Sequence, residues 1–261
     1  MMCNGQFPVD LFHQIKVIEL FGNYGASASF PISFFQRFYN LEGLQFSYCD
    51  FKDLVSCEGD VGEKPDDGTV LSRIRKLKLD SCINLTHIWK KDSELGHILP
   101  NLETLEVQHC DDLINFGSSS SFQNLTTLEV VGCDMMINLV TPLVAQSLVH
   151  LTEMRVENCF MMKEIVANGD EATYEITFSK LKYLKLHRLK NLESFCPGNH
   201  TFKFRSLEEL IVIQCSRLKI FCQGVLNTPQ LQRVKESDEY DRGRWTGDLN
   251  TTIQLLYNQK V

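Results

Sequence analysis

Apolar positions along this chain keep a hybrid rhythm. In LETLEVQHCDDLINF, residues 102–116, they fall at Leu102, Leu105, Val107, Cys110, Leu113 and Phe116, in steps of 3, 2, 3, 3 and 3. A strand would alternate by two and a helix would continue at 3.6, so neither element alone accounts for the spacing. The rhythm recurs along most of the chain. It begins with Ile15, Ile18, Leu20 and Asn23, followed by Leu41, Leu44, Phe46, Cys49 and Leu54. Ile74, Leu77, Leu79, Cys82, Leu85 and Ile88 precede the stretch at 102. After it come Leu125, Leu128, Val130, Cys133, Met136 and Leu139, then Leu151, Met154, Val156, Cys159, Met162 and Ile165. Leu181, Leu184, Leu186, Leu189, Leu192 and Phe195 form the seventh set, and Leu207, Leu210, Val212, Cys215, Leu218 and Phe221 the eighth. Leu231 and Val234 start a ninth that stops short.

The starts lie about 23 to 33 residues apart. The pattern resembles the leucine-rich repeat, L-x-x-L-x-L-x-x-N/C-x-L, with a usual period of roughly 20 to 29. The x-L-x-L-x part predicts a short strand with its leucines inward. One such unit cannot bury its apolar side, but a stack can. The expected fold class is an α/β solenoid, a leucine-rich-repeat horseshoe with a parallel concave sheet and an irregular or 3-10 convex side. Residues 1–235 form the solenoid, with about eight repeats starting near 15, 41, 74, 102, 125, 151, 181 and 207, and 236–261 form a C-terminal capping segment.

Inward leucines leave three outward columns on the concave side. The central one reads Glu19, Gln45, Lys78, Glu106, Glu129, Arg155, Lys185, Ile211. The column before it runs from Val17 to Tyr183 and Glu209, and the one after from Phe21 to His187 and Ile213. Solenoids bind along this surface. Tyr183, Arg155 and His187 fall close together, and Tyr and Arg are favoured interface anchors. With Ile211 and Ile213 beside them, these columns supply the candidate protein-binding residues. A solvated face with cross-strand charge pairs, Lys78 with Glu106 and Arg155 with Glu129, fits the same columns.

Six cysteines, Cys49, Cys82, Cys110, Cys133, Cys159 and Cys215, hold the slot after the strand, where Asn23 stands in the first repeat. A small, easily buried weak donor suits that turn. Leu189 holds the slot in the seventh repeat, which predicts a differently built turn there. Cys3, Cys57, Cys196 and Cys222 lie outside the ladder and read as ordinary thiols on a loop, a terminus or the convex side. No clustered Cys/His spacing points to a metal, and no cofactor is expected. No Ser-His-Asp, Cys-His or paired-carboxylate arrangement stands out, so the chain is not expected to be an enzyme.

A net charge of -7 argues against a nucleic-acid partner, which would need a basic face. No apolar run approaches the ~18 residues of a membrane span. The N-terminus lacks the basic and apolar regions of a secretory signal. The ten cysteines therefore read as reduced thiols in a cytoplasmic protein. The Asn-x-Thr sequons at Asn84, Asn124, Asn199 and Asn250 read as chance or structure rather than glycan sites.

Segments 56–69, 117–121 and 168–175 read as solvated loops between repeats. Near the C-terminus, Asp248 precedes Leu249, Ile253 and Leu256 at helical spacing, which predicts a capped amphipathic helix. The first repeat has no such cap, which suggests that a parent protein continues N-terminally.

The repeats, with links such as LPNLETLEV and FQNLTTLEV and the ending RWTGDLNTTIQLLY, resemble the C-terminal leucine-rich-repeat region of plant coiled-coil nucleotide-binding disease resistance proteins. That resemblance implies a module that senses a pathogen effector or a guarded host protein and that contacts the nucleotide-binding domain of a parent receptor. The chain has no G-x-x-x-x-G-K-[ST], so it does not itself cradle a nucleotide phosphate. A free-standing adaptor of the F-box type or a truncated decoy is the alternative. An extracellular receptor would need a signal peptide and paired capping cysteines.

Overall fold

The structure, a computed structural model, describes residues 9–22, 38–50, 71–88, 99–116, 122–169, 172–237 and 243–259, with Phe30, Pro31, Phe35, Val55 and Ser56. Asn23, Leu54, Cys3, Cys57, loop 117–121 and most of loop 56–69 lie outside the described residues.

Each x-L-x-L-x segment is a five-residue strand: β1 (Val17–Phe21), β3 (Gly43–Ser47), β5 (Lys76–Asp80), β6 (Thr104–Gln108), β7 (Thr127–Val131), β8 (Glu153–Glu157), β10 (Tyr183–His187) and β12 (Glu209–Ile213). With β14 (Val234–Lys235) and β15 (Gly243–Arg244) they make one ten-stranded sheet, parallel except for the last pair. Like residues pair across it: Leu77 with Leu105, Leu105 with Leu128, Leu128 with Met154, and Met154 with Leu184. These inward side chains are at most 1 % exposed. The chain is a leucine-rich-repeat solenoid.

Two backbone devices lock one coil to the next. Before each strand, one carbonyl of the previous coil accepts two N–H groups, as Glu103 O does from Thr126 and Thr127 and Thr152 O from Lys182 and Tyr183. After each strand, the chain turns through a residue in the left-handed region: Tyr48, Ser81, His109, Gly132, Asn158, Arg188 and Gln214 have φ between 52° and 66°. That conformation aims the N–H at the last strand carbonyl of the next coil, as in His109 N to Val131 O and Arg188 N to Ile213 O, both 2.8 Å. The ladder cysteine follows, and its Sγ donates to the carbonyl two residues back, Cys110 to Gln108 at 3.4 Å and Cys159 to Glu157 at 3.4 Å.

The expectation of a different turn at Leu189 is overturned. Arg188 takes the same left-handed conformation and the same inter-coil bond, and Leu189 is fully buried. Only the thiol's bond to the backbone is missing there, so the backbone, not the cysteine, builds this turn.

The return side is more ordered than an irregular convex wall. A 3-10 turn (Leu71–Arg73) and a helix (Pro142–Ser147) occur on it, but so do parallel bridges such as His87 with Asn115 and Glu164 with Ser194. A second parallel sheet joins β9 (Glu175–Phe178), β11 (Thr201–Phe204) and β13 (Leu226–Asn227). Phe178, Phe202 and Phe204 point inward from it and meet Phe195 and Phe221 in one buried aromatic cluster, with Phe195 and Phe221 stacked at 4.7 Å. A short pairing of β2 (Phe30–Pro31) with β4 (Val55–Ser56) lies near the other end.

Side-chain amides add a further link. Asn101 Nδ2 donates to Ser72 O and Asn124 Nδ2 to Pro100 O, so the Asn of each PNLETL/QNLTTL link ties its coil to the previous one. The helix Leu249–Asn258 is capped by Asp248, whose Oδ1 accepts from Thr251 N at 2.9 Å. From that helix Asn250 binds the backbone of Phe221 and Cys222 through three hydrogen bonds, standing in for a neighbouring strand.

Candidate protein-recognition face

Because side chains alternate along a strand, the residues between the inward leucines stand on the open face of the long sheet. All eleven candidates lie there, aligned by register: Glu19 with Gln45, Gln45 with Lys78, Lys78 with Glu106, Glu106 with Glu129, Glu129 with Arg155, Arg155 with Lys185, Lys185 with Ile211, and His187 with Ile213. Tyr183 heads the strand that carries Lys185 and His187.

Most charges on this face are already answered by a neighbour. Glu106 takes both Lys76, at 2.6 Å, and Lys78, at 3.8 Å. Glu129 accepts from Gln108, and Lys235 binds Glu209 at 3.0 Å. Arg155 pairs with Glu153 on its own strand rather than with Glu129 across the sheet. Its guanidinium carbon lies 4.9 Å from the centre of the Tyr183 ring, within the range of a cation–π contact.

The tightest cluster centres on Glu157. Its two oxygens face Lys185 Nζ at 3.1 Å and His187 Nδ1 at 2.9 Å. Burial works against ionising this carboxyl, but the bonds from His187 and Lys185 together outweigh it and hold Glu157 below the ordinary carboxylate range. Beside this cluster the half-buried Ile213 adds an apolar residue to the face.

A family model described as plant disease resistance protein RPS2-like, leucine-rich repeats, matches residues 1–120 and 115–235. The chain belongs to this family. No curated protein matches it significantly. Among solved structures, the leucine-rich repeat domain of the type III effector XopL is similar, with a TM-score of 0.53 at 16% identity over 81% of this chain. That likeness speaks for the fold alone, and the chain spans 65% of that domain's length.

In this RPS2-like repeat region the candidates differ in how open they are. Glu19 is exposed, and Gln45, Lys78, Glu106, Glu129, Arg155, Tyr183, His187 and Ile213 are half-buried. Lys185 and Ile211 are only 9% and 3% exposed, so they shape the surface rather than project from it. The large neighbours across the strands cover them, which strand alternation alone does not reveal.

The thiols of these repeats are structural. All eight described cysteines are buried thiols outside any disulfide, and Cys196 and Cys222 sit side by side in a backbone bridge on the return side, in keeping with the convex-side alternative. Burial pushes the thiols of Cys49 and Cys196 up to about 11 and that of Cys222 to about 12, so they stay protonated and poorly nucleophilic at neutral pH. Among the described residues no group of His, Cys, Asp and Glu is placed to hold a metal ion. No helix among them is long and apolar enough to cross a membrane.

Proposed function

We propose that this chain is the protein-recognition module of an intracellular plant immune receptor, one that senses a pathogen effector or a guarded host protein. Leucine-rich repeat domains are protein-interaction scaffolds, and the chain's family is that of plant disease resistance repeats. The observation that carries the reading is the patch on β8, β10 and β12. There the Arg155–Tyr183 stack adjoins the Glu157 cluster and the half-buried Ile213. Aromatic and arginine anchors around apolar residues suit a protein partner better than a small molecule. In this reading the module acts in the cytoplasm without catalysis or cofactor, and a parent nucleotide-binding domain converts binding into a response. A free-standing adaptor or decoy would use the same patch without that domain.

Arg155→Ala with Tyr183→Ala tests it, since both side chains are half-buried and their loss leaves the core intact. Effector-dependent cell death by the full receptor should fall by at least about tenfold, the size of a two-anchor interface loss. An unchanged response with normal protein levels would show that this face is not the sensor.

A further inference from the structure

Beyond the strand ends, the flank of the solenoid presents a different surface. The doublets Met135-Met136 and Met161-Met162 each send one methionine inward and leave one outside. Met136 and Met162 are fully buried, whereas Met135 and Met161 are 55% and 46% exposed. Ile114, Ile137 and Phe160 are exposed beside them. These five side chains sit on three successive coils, tied by Met135 N to Asp111 O at 3.1 Å and Lys163 N to Ile137 O at 2.9 Å. At a spacing of about 4.8 Å per coil the apolar patch runs about 10 Å along the stack.

The two ends of the patch carry opposite charge. Asp111 and Asp112 are exposed on the coil at one end, with Asp134 half-buried on the next. Lys163 and Lys190 are exposed at the other, and Lys190 Nζ lies 5.1 Å from the centre of the Phe160 ring. Half-buried Glu164, next to Lys163, and exposed Glu193, at the outer margin, are the acidic exceptions at the basic end. A strip that is acidic, then apolar, then basic is complementary to itself when turned through 180°.

We propose that this flank is a two-fold interface between two copies of this chain. Met135 meets Met161 of the partner subunit, and Asp111 faces Lys190 of the partner subunit. A second copy supplies the reversed charge order by symmetry, which a foreign protein would have to supply by its own sequence. Exposed methionines adapt to one another across such a seam, and the flanking charges set its register. Five apolar side chains fall short of the usual ~800 Å² per partner, so the dimer is weak and concentration-dependent.

Sedimentation velocity on the whole chain, from about 1 to about 200 µM, covers the micromolar range expected of such an interface. The mass should rise from 30.0 kDa toward twice that value. Met135→Glu with Met161→Glu should weaken the dimer at least about tenfold, because both charges enter the apolar centre of the seam. Asp111→Lys alone and Lys190→Asp alone should each weaken it by about threefold, and the two together should restore it to within about twofold of the original. A folded chain that stays monomeric throughout overturns the proposal. So does a dimer indifferent to the methionine changes, or a charge exchange that fails to restore association.

Discussion

The open face of the long sheet and the flank beyond its strand ends are built from the same coils, yet they treat surface chemistry in opposite ways. On the face, Glu106, Glu129, Glu153, Glu157 and Glu209 each hold a neighbouring donor or cation. On the flank, Met135, Ile137, Phe160 and Met161 lie open to solvent, and charge gathers at the two ends. The difference follows from geometry. Parallel strands hold side chains of adjacent coils in fixed register at about 4.8 Å, so opposite charges meet readily. Past the left-handed turn the coils are tied by single backbone bonds, such as Lys163 N to Ile137 O, rather than by five-residue strands in register.

If the face is a cross-linked surface, its strongest link should carry stability that the flank does not. Glu157→Gln keeps the shape but removes the charge facing Lys185, which is itself nearly buried. Urea unfolding at pH 7 should show a loss of about 1.5–3 kcal/mol, the range for hydrogen bonds to charged groups. The pH dependence sharpens the test. Glu157 is held below the ordinary carboxylate range. Its contribution is therefore complete above the unfolded pKa of about 4.3 and is lost as pH falls through the lower folded value. The gap between the original chain and the variant should close below about pH 4. A gap that stays constant from pH 7 to pH 3 would mean that the Glu157 cluster contributes no electrostatic stability.

The boundary between face and flank is the left-handed turn, and it can be tightened or strained. Gly132 has φ +66°, and a Cβ there would come within 2.6 Å of His109 Nδ1. Gly132→Ala should cost about 1–2 kcal/mol, because the αL penalty and the displaced imidazole add. At the equivalent Arg188, φ 55°, the reverse change to Gly relieves that penalty and should stabilise by about 0.5–1 kcal/mol, less the gain in unfolded-chain freedom. Melting temperatures of both variants check the pair. Equal effects of one sign would mean that the two turns are not built alike.

How much of this was legible in the sequence depends on what each feature needs. The repeat rhythm placed the inward strand leucines of the described coils and the register of the face, because period two along a strand is a local property, but it passed over buried Leu71, Leu99 and Leu148. Leu105, Leu128 and Met154 pair as their spacing implies. The rhythm could not show that Lys185 and Ile211 are covered, or that Arg155 turns to Glu153, since both depend on the size and rotamers of neighbours on other coils. The second sheet was written in the alternation of Glu175–Phe178 and Thr201–Phe204, but a fixed repeat template passes over segments that occur in only some coils. The turn residues escaped for another reason. Tyr48, Ser81, His109 and Arg188 share a conformation and no chemistry, so only the backbone reveals the column.

The smallest expected effect is also the one that separates the two surfaces most cleanly. Met161→Ala removes a side chain that is 46% exposed. Its unfolding free energy at low protein concentration should stay within about 0.5 kcal/mol of the original, as for surface sites away from packed features. The neighbouring Met162→Ala, at a fully buried position, should instead cost about 2–5 kcal/mol through the cavity it leaves. One methionine of the doublet thus belongs to the fold and the other to the surface. A Met161→Ala loss as large as that of Met162→Ala would mean that the flank is held by intramolecular packing, and its apolar character would then need no partner to account for it.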